Sequence, residues 1–144
     1  MAIDYHSAAA DRLRKADQRY TRNRQLLVET LSTTRRPLTI PEILEAGRGL
    51  AMSSAYRNLA ILEHAGVVHR IVTRDEFARY ELAEDLTTHH HHLICVNCGN
   101  VEDFKAPPRF EDTATTALGR VATKAGFQIR SHRLDVLGLC RNCA

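Results

Sequence analysis

Residues 53–66 read SSAYRNLAILEHAG, and this stretch decides the first half of the fold. Ser53 is suited to cap a helix, because a serine oxygen accepts a hydrogen bond from a first-turn N–H. Behind it Ala55, Leu59, Ile61, Leu62 and Ala65 gather toward one face, and Gly66 closes the run where a left-handed residue is favoured. Upstream, Thr39 caps Pro41 to Ala46, with proline in the first turn and Gly47 as the stop. Before that, Thr21 caps a helix in which Leu26, Leu27, Thr30 and Leu31 form an i, i+3, i+4 stripe, ended by Pro37. Ser7 to Gln18 give a further helix, with Ala8, Ala9, Leu13 and Ala16 on one side. Downstream, residues 67–73 and 77–82 are β-prone and joined by Arg74-Asp75-Glu76 as a hairpin. Helices followed by a hairpin is the order of a winged helix-turn-helix.

Residues 83–88 are polar and carry no strong periodicity. Beyond them the pattern alternates. His91 to Val96 and Val101 to Phe104 predict strands around Asn97-Cys98-Gly99, Phe110 to Ala125 a helix stopped by Gly126, and Phe127 to Leu139 a long strand-rich stretch. The class is therefore α+β: a winged helix-turn-helix, then a small α/β module with one helix over a sheet.

The chain has 144 residues, 44% apolar and 26% charged, as an ordinary globular protein has. No apolar run approaches the roughly 20 residues of a membrane span, and the N-terminus lacks the apolar segment of an export signal. The expected compartment is the reducing cytoplasm. Residues 12–57 hold ten Arg or Lys against four acids, a net +6, whereas residues 63–85 hold three Arg against six acids, a net −3. A cationic first third suits a phosphate backbone, and equally a solvated charged face.

Cys95-Val96-Asn97-Cys98 and Cys140-Arg141-Asn142-Cys143 are two C-x-x-C knuckles. Each can place two thiolates on one metal, and together they complete a tetrahedral zinc site. The 41 residues between Cys98 and Cys140 mean the site ties the start of the second half to its end. Disulfides and a redox pair are the competing readings; the first is disfavoured in the cytoplasm, and neither pair has a thioredoxin-like context.

His89-His90-His91-His92 runs straight into the first knuckle. On a strand, side chains alternate faces, so His90 and His92 point one way and His89 and His91 the other. One run can thus feed two metal sites, or it is a solvated loop. His69, Glu81, Asp103 and His132 supply further ligand types. Such a set suits Zn²⁺, Fe²⁺, Mn²⁺ or Ni²⁺. Tyr56 and Arg57, near the start of their helix, could read bases: arginine bonds guanine bidentately, and tyrosine packs on thymine methyls or bonds phosphate.

A zinc enzyme would need an open coordination position and a general base; the four-cysteine set is closed, and no H-E-x-x-H motif is present. A zinc store would explain the ligands but not the winged-helix half.

Taken together, Ser54-Ala55-Tyr56-Arg57-Asn58-Leu59, Ala65-Gly66, Tyr80-Glu81-Leu82, His89 to Cys95, Cys98-Gly99, Val101-Glu102-Asp103-Phe104, Ser131-His132-Arg133-Leu134, Cys140 and Cys143 resemble the ferric uptake regulator family, in family order over residues 8–143. The resemblance implies a winged-helix DNA-binding domain over 1–83, a hinge at 84–88, and a dimerisation and metal-binding domain over 89–144. It implies a metal-responsive repressor, not an enzyme, that binds palindromic operator DNA as a homodimer, with no membrane and no small-molecule substrate. Structural zinc falls on Cys95, Cys98, Cys140 and Cys143. A regulatory divalent ion falls on His69, Glu81, His90 and His92, with Asp103 a further candidate; a third site would use His89, His91 and His132. DNA contacts fall on Arg19, Ser53, Ser54, Tyr56 and Arg57.

There are departures from the family pattern. Pro37 stands where iron and peroxide sensors place a histidine, Ala83 where zinc sensors often place a cysteine, and Thr115 where a helix glutamate is expected, with Glu111 nearby out of register. Zinc is the favoured regulatory metal, with iron, manganese or peroxide sensing the alternative.

Overall fold

A computed structural model describes residues 4–34, 36–73 and 77–144. Arg35 and the expected hairpin turn Arg74-Asp75-Glu76 lie outside these residues. The first half carries helices α1 (Tyr5–Lys15), α2 (Arg22–Ser32), α3 (Ile40–Ala46) and α4 (Met52–His64) with strands β1 (Leu38–Thr39), β2 (Val68–Val72) and β3 (Ala78–Leu82). After a 3-10 turn at Glu84–Leu86 come β4 (His91–Cys95), β5 (Val101–Phe104), α5 (Pro108–Ala125) and β6 (Asp135–Gly138). No helix among the described residues is long and apolar enough to cross a membrane.

Local chemistry explains most of the first half. Thr21 accepts a hydrogen bond from the Arg24 N–H at the start of α2. Thr39 and Glu42 form a reciprocal capping box on α3, satisfying two orphan donors at once. At Gly47 an added Cβ would lie 2.5 Å from Leu50 Cδ1 and 2.8 Å from Thr30 Oγ1, so a larger residue in the turn between α3 and α4 would force those side chains to shift. Arg24 is buried, and its Nε donates to Asn58 Oδ1 (3.0 Å) while Nη1 donates to the Arg19 carbonyl (2.6 Å). This cation therefore ties the α1–α2 turn to α4. Leu13, Leu27, Val28, Ile43, Leu59, Leu62 and Val67 are wholly buried between the helices and the sheet.

Four expectations are corrected. Helix α4 begins at Met52 behind Ala51, so Ser53 sits inside the helix and caps nothing. Helix α1 starts at Tyr5, capped by Asp4, and ends at Lys15. Helix α2 stops at Ser32, ahead of Pro37. The long stretch from Phe127 to Leu139 contains only the four-residue strand β6. Strand β1 was not foreseen: two residues pair with β3 only because the tertiary fold brings them there.

Each half has a three-stranded sheet, β1-β3-β2 and β5-β4-β6. In the first, β2 and β3 are antiparallel and His69 stands opposite Glu81. In the second, β4 runs antiparallel to β5, with His92 opposite Asp103, and parallel to β6, with His92 opposite Asp135. These registers place the ligand-type residues.

Candidate metal centres

Three clusters of ligand-type side chains form among the described residues, each with its donor atoms within 4.8 Å of one another. The first is Cys95, Cys98, Cys140 and Cys143. Strand β4 delivers Cys95 and the chain beyond β6 delivers Cys140, because the two strands are hydrogen-bonded neighbours. All four thiols are free, and Cys98 Sγ lies 3.7 Å from Cys140 Sγ. Thiolates on a tetrahedral zinc at ~2.3 Å would stand about 3.8 Å apart, so the spacing fits zinc. Backbone N–H groups of Cys98 and Cys140 pull the Cys95 thiol down to about 6, toward the thiolate that binds metal.

The second cluster is Glu81, His90, His92 and Asp103. Glu81 comes from β3 of the first half, His92 from β4, Asp103 from β5, and His90 from the position just before β4. His92 Nε2 is 2.8 Å from Glu81 Oε1, and His90 Nε2 is 3.1 Å from Glu81 Oε2. Asp103 lies 3.6 Å from His92 and 3.8 Å from His90, and its Oδ1 is buried with no hydrogen-bond partner among the described residues. An orphaned carboxylate oxygen between two imidazoles is what a cation would satisfy. Burial, with the charge of Glu81, pushes the Asp103 carboxyl up to about 6. Burial also raises the Glu81 carboxyl, but hydrogen bonds from His90 and His92 outweigh it and hold the group at about 2. The bond to Glu81 in turn lifts His90 to about 9.

Both imidazoles are oriented from behind. His90 Nδ1 donates to the Thr88 carbonyl (2.8 Å) and His92 Nδ1 donates to Asp135 Oδ1 (3.1 Å). Each ring is thereby fixed with Nε2 facing the cluster, the arrangement that supports a metal-ligating histidine. His69 is not in this set. It lines a neighbouring cleft of about 250 Å³ with Glu81, His90 and His92, and its Nδ1 accepts a hydrogen bond from Arg133 Nη1 at 3.3 Å. Asp103 occupies the fourth place instead.

The third cluster is His89, His91, Glu111 and His132. Glu111 in the first turn of α5 approaches all three rings: 3.2 Å from His89, 2.6 Å from His91 and 2.9 Å from His132. The sequence pattern pointed to Thr115 and set Glu111 aside. The two are four residues apart and so share a helix face, a spacing that could have identified Glu111. Asp135 and Thr88, which orient the second cluster, carry no motif; only strand register brings them in.

The residues expected to contact DNA lie on α4 and in the α1–α2 turn. Tyr56, Arg57 and Ser53 are exposed on α4, Ser54 is partly exposed with its hydroxyl on the Ala51 carbonyl, and Arg19 is exposed in the α1–α2 turn.

Residues 15–137 match the sequence profile of the ferric uptake regulator family. The chain is 31% identical over 138 residues to the ferric uptake regulation protein of Campylobacter jejuni, covering 91% of this chain and 83% of that protein. It is 28% identical over 148 residues to the peroxide operon regulator of Bacillus subtilis, covering 100% and 97%. Among solved structures it is similar to the ferric uptake regulator of Helicobacter pylori, with a TM-score of 0.73, 26% identity and coverage of 99% and 96%; that structure is described as revealing three functional metal binding sites. The profile match includes strands of both sheets and every residue of the second and third clusters, ending before Cys140 and Cys143, and the chain belongs to the ferric uptake regulator family of metal-responsive regulators.

Proposed function

We propose that the chain is a metal-gated repressor that binds palindromic double-stranded operator DNA as a cytoplasmic homodimer and catalyses no reaction. The observation that carries this reading is the position of Glu81, on the wing hairpin, against His90, His92 and Asp103 of the second sheet. A divalent cation supplies a charge that two carboxylates and two neutral imidazoles can share. Held by these residues it fixes residues 1–83, the reading unit, relative to residues 89–144, the dimerising unit, across the connector 84–88. Two reading units fixed in one dimer can meet successive major grooves about 34 Å apart. In the apo chain those units sample other spacings, and DNA affinity falls by the fraction that is competent.

Dimerisation is supported by α5, which has no buried residue although Phe110, Leu118 and Val121 face outward. A second copy covering that face is the simplest remedy for an exposed apolar stripe. The four cysteines hold structural zinc. Tyr56 and Arg57 read bases from α4, Ser53 and Ser54 meet the backbone, and Arg19 adds phosphate affinity from the α1–α2 turn.

The gating metal is a first-row divalent ion. The sequence reading favoured zinc, but Asp103 in the fourth place makes the donor set harder and moves the preference toward Fe²⁺ or Mn²⁺, with Zn²⁺ and Ni²⁺ the other candidates. Mobility shifts on the chain's own promoter test the reading. Metal should tighten binding and chelator should reverse it, whereas equal binding in both conditions overturns it. Parallel titrations with the four ions identify the metal.

A further inference from the structure

Arg24, in the first turn of α2, is a buried cation whose side-chain bonds end on neutral oxygens. Its Nε donates to Asn58 Oδ1 at 3.0 Å, and its Nη1 donates to the Arg19 carbonyl at 2.6 Å and to Gln18 Oε1 at 3.3 Å. None of these acceptors carries a charge, so direction, not ion pairing, is what the bonds supply. Two of them end on the reading face proposed above. Asn58 is buried on α4 directly after the exposed Arg57. Arg19 is exposed in the α1–α2 turn, where side chains of α2 hold two successive carbonyls: Arg24 that of Arg19, and Gln25 Nε2 that of Tyr20 at 3.0 Å. The guanidinium is planar and rigid, so its Nε and Nη1 hydrogens leave at fixed angles to one another. Any slide or turn of α4 that moves Asn58 therefore pulls on the carbonyl of Arg19, and the reverse holds too.

We infer that Arg24 is a positioning residue for DNA recognition. One guanidinium sets Arg57 for base reading and Arg19 for the DNA backbone at once, so the two contacts are made together or lost together. The rigid fork carries this coupling and the charge does not. A lysine in its place keeps the charge but presents a point ammonium on a flexible stem, which cannot span both acceptors in fixed geometry. The inference rests on the reading face proposed above.

The test is a set of double-mutant cycles with the full chain, loaded with whichever ion tightens binding in the titrations above. Affinity is read on a duplex of the chain's own promoter and on a random duplex of equal length, at a temperature where circular dichroism shows the variants folded. In an Arg24→Lys background, Arg19→Ala and Arg57→Ala should each cost about three- to tenfold less promoter affinity than in the parent, as residues of one hydrogen-bond network do. Asn58→Ala cuts only the leg to α4. On that background Arg57→Ala should lose part of its effect, while Arg19→Ala keeps the effect it has in the parent. Losses that simply add in both backgrounds make Arg24 a structural residue and overturn the inference, as does an Arg24→Lys chain that binds promoter like the parent. If Arg24→Lys does not fold, Asn58→Ala decides, and additivity with Arg57→Ala overturns the coupling. Normal promoter binding by both Arg19→Ala and Arg57→Ala in the parent is the different failure: it moves recognition to another face, and the inference falls with that reading.

Discussion

The two halves of this molecule are held together by different physics. Every member of the buried apolar cluster lies between Ala9 and Leu86. Beyond Leu86 the only buried side chains are Cys95, Val101, His91 and His92, and all four residues of β6 are exposed. The first half thus draws its stabilisation from apolar surface removed from water, at about 25 cal/mol per Å². The second half places thiols and imidazoles where a core would be, and turns Phe127, Ile129, Leu137 and Leu139 outward. One half folds by burial; the other, on the function proposed above, needs ions and a partner.

The sharpest way to break this contrast is to remove one thiolate. Cys95→Ser should unfold or monomerise the second half, since structural zinc in small domains is worth about 10–16 kcal/mol of folding free energy. Hydrogen exchange should meanwhile leave α2 and α4 protected. A mutant that stays dimeric and as heat-stable as the parent would remove the zinc-core reading. The mirror experiment is Leu59→Ala, at the centre of the apolar cluster, which should cost about 2–5 kcal/mol in the first half. Zinc content and sedimentation should not change; if zinc is lost as well, the halves are not independently stabilised.

The junction comes next. His90→Ala should empty the second cluster while each chain keeps one zinc and the dimer persists, and the metal-dependent gain in operator affinity should vanish. His69→Ala should retain that metal, because His69 rests on Arg133 and Asp103 stands in its place. Equal loss in both mutants, read by metal analysis and operator titration, would return His69 to the ligand set. On the reading face, Arg57→Ala should cost about 1–3 kcal/mol and relax base preference, and Arg19→Ala should weaken all sequences alike and flatten the salt slope.

The smallest effect belongs to the tether between α1 and the 3-10 turn. Arg12 makes two hydrogen bonds to Asp85 and holds its carboxyl below the ordinary 3.8. A depressed carboxyl contributes stability at neutral pH and loses it as pH falls through the lowered value. Asp85 is mostly exposed, so Asp85→Asn should cost at most about 1 kcal/mol at pH 7. In acid, where Asp85 is protonated anyway, that cost should vanish; an unchanged cost there would show that the pair is not electrostatic.

Much of the first half was legible because its signals are local. Thr21, Thr39 with Glu42, and Gly66 punctuate helices through bonds made within a few residues. The start of α4 was misread because Ser53 is the better capping residue by chemistry, yet the chain enters the helix through Ala51, which offers no side-chain bond. In the second half the ligand types were visible, and strand alternation with the family resemblance grouped most of them, missing Glu111 and adding His69. Glu111, Asp103 and Asp135 reach their clusters through strand register and helix face, which depend on pairings 11 to 43 residues apart. The stretch after Gly126 read as strand because its apolar residues suggest burial; on this chain alone they are exposed.

Strand β4 has a consequence for how its gene can change. Deleting one histidine codon would leave three histidines, a loss that composition alone would call minor. Yet a one-residue slip in a strand sends every following side chain to the opposite face. With the register held from the N-terminal side, Leu93 would take the place of His92 and deprive Glu81 of one imidazole. What heredity must preserve here is whether each imidazole stands at an odd or an even step along the strand, more than how many there are. Substitutions in this run are therefore expected to be far better tolerated than insertions or deletions of a single residue.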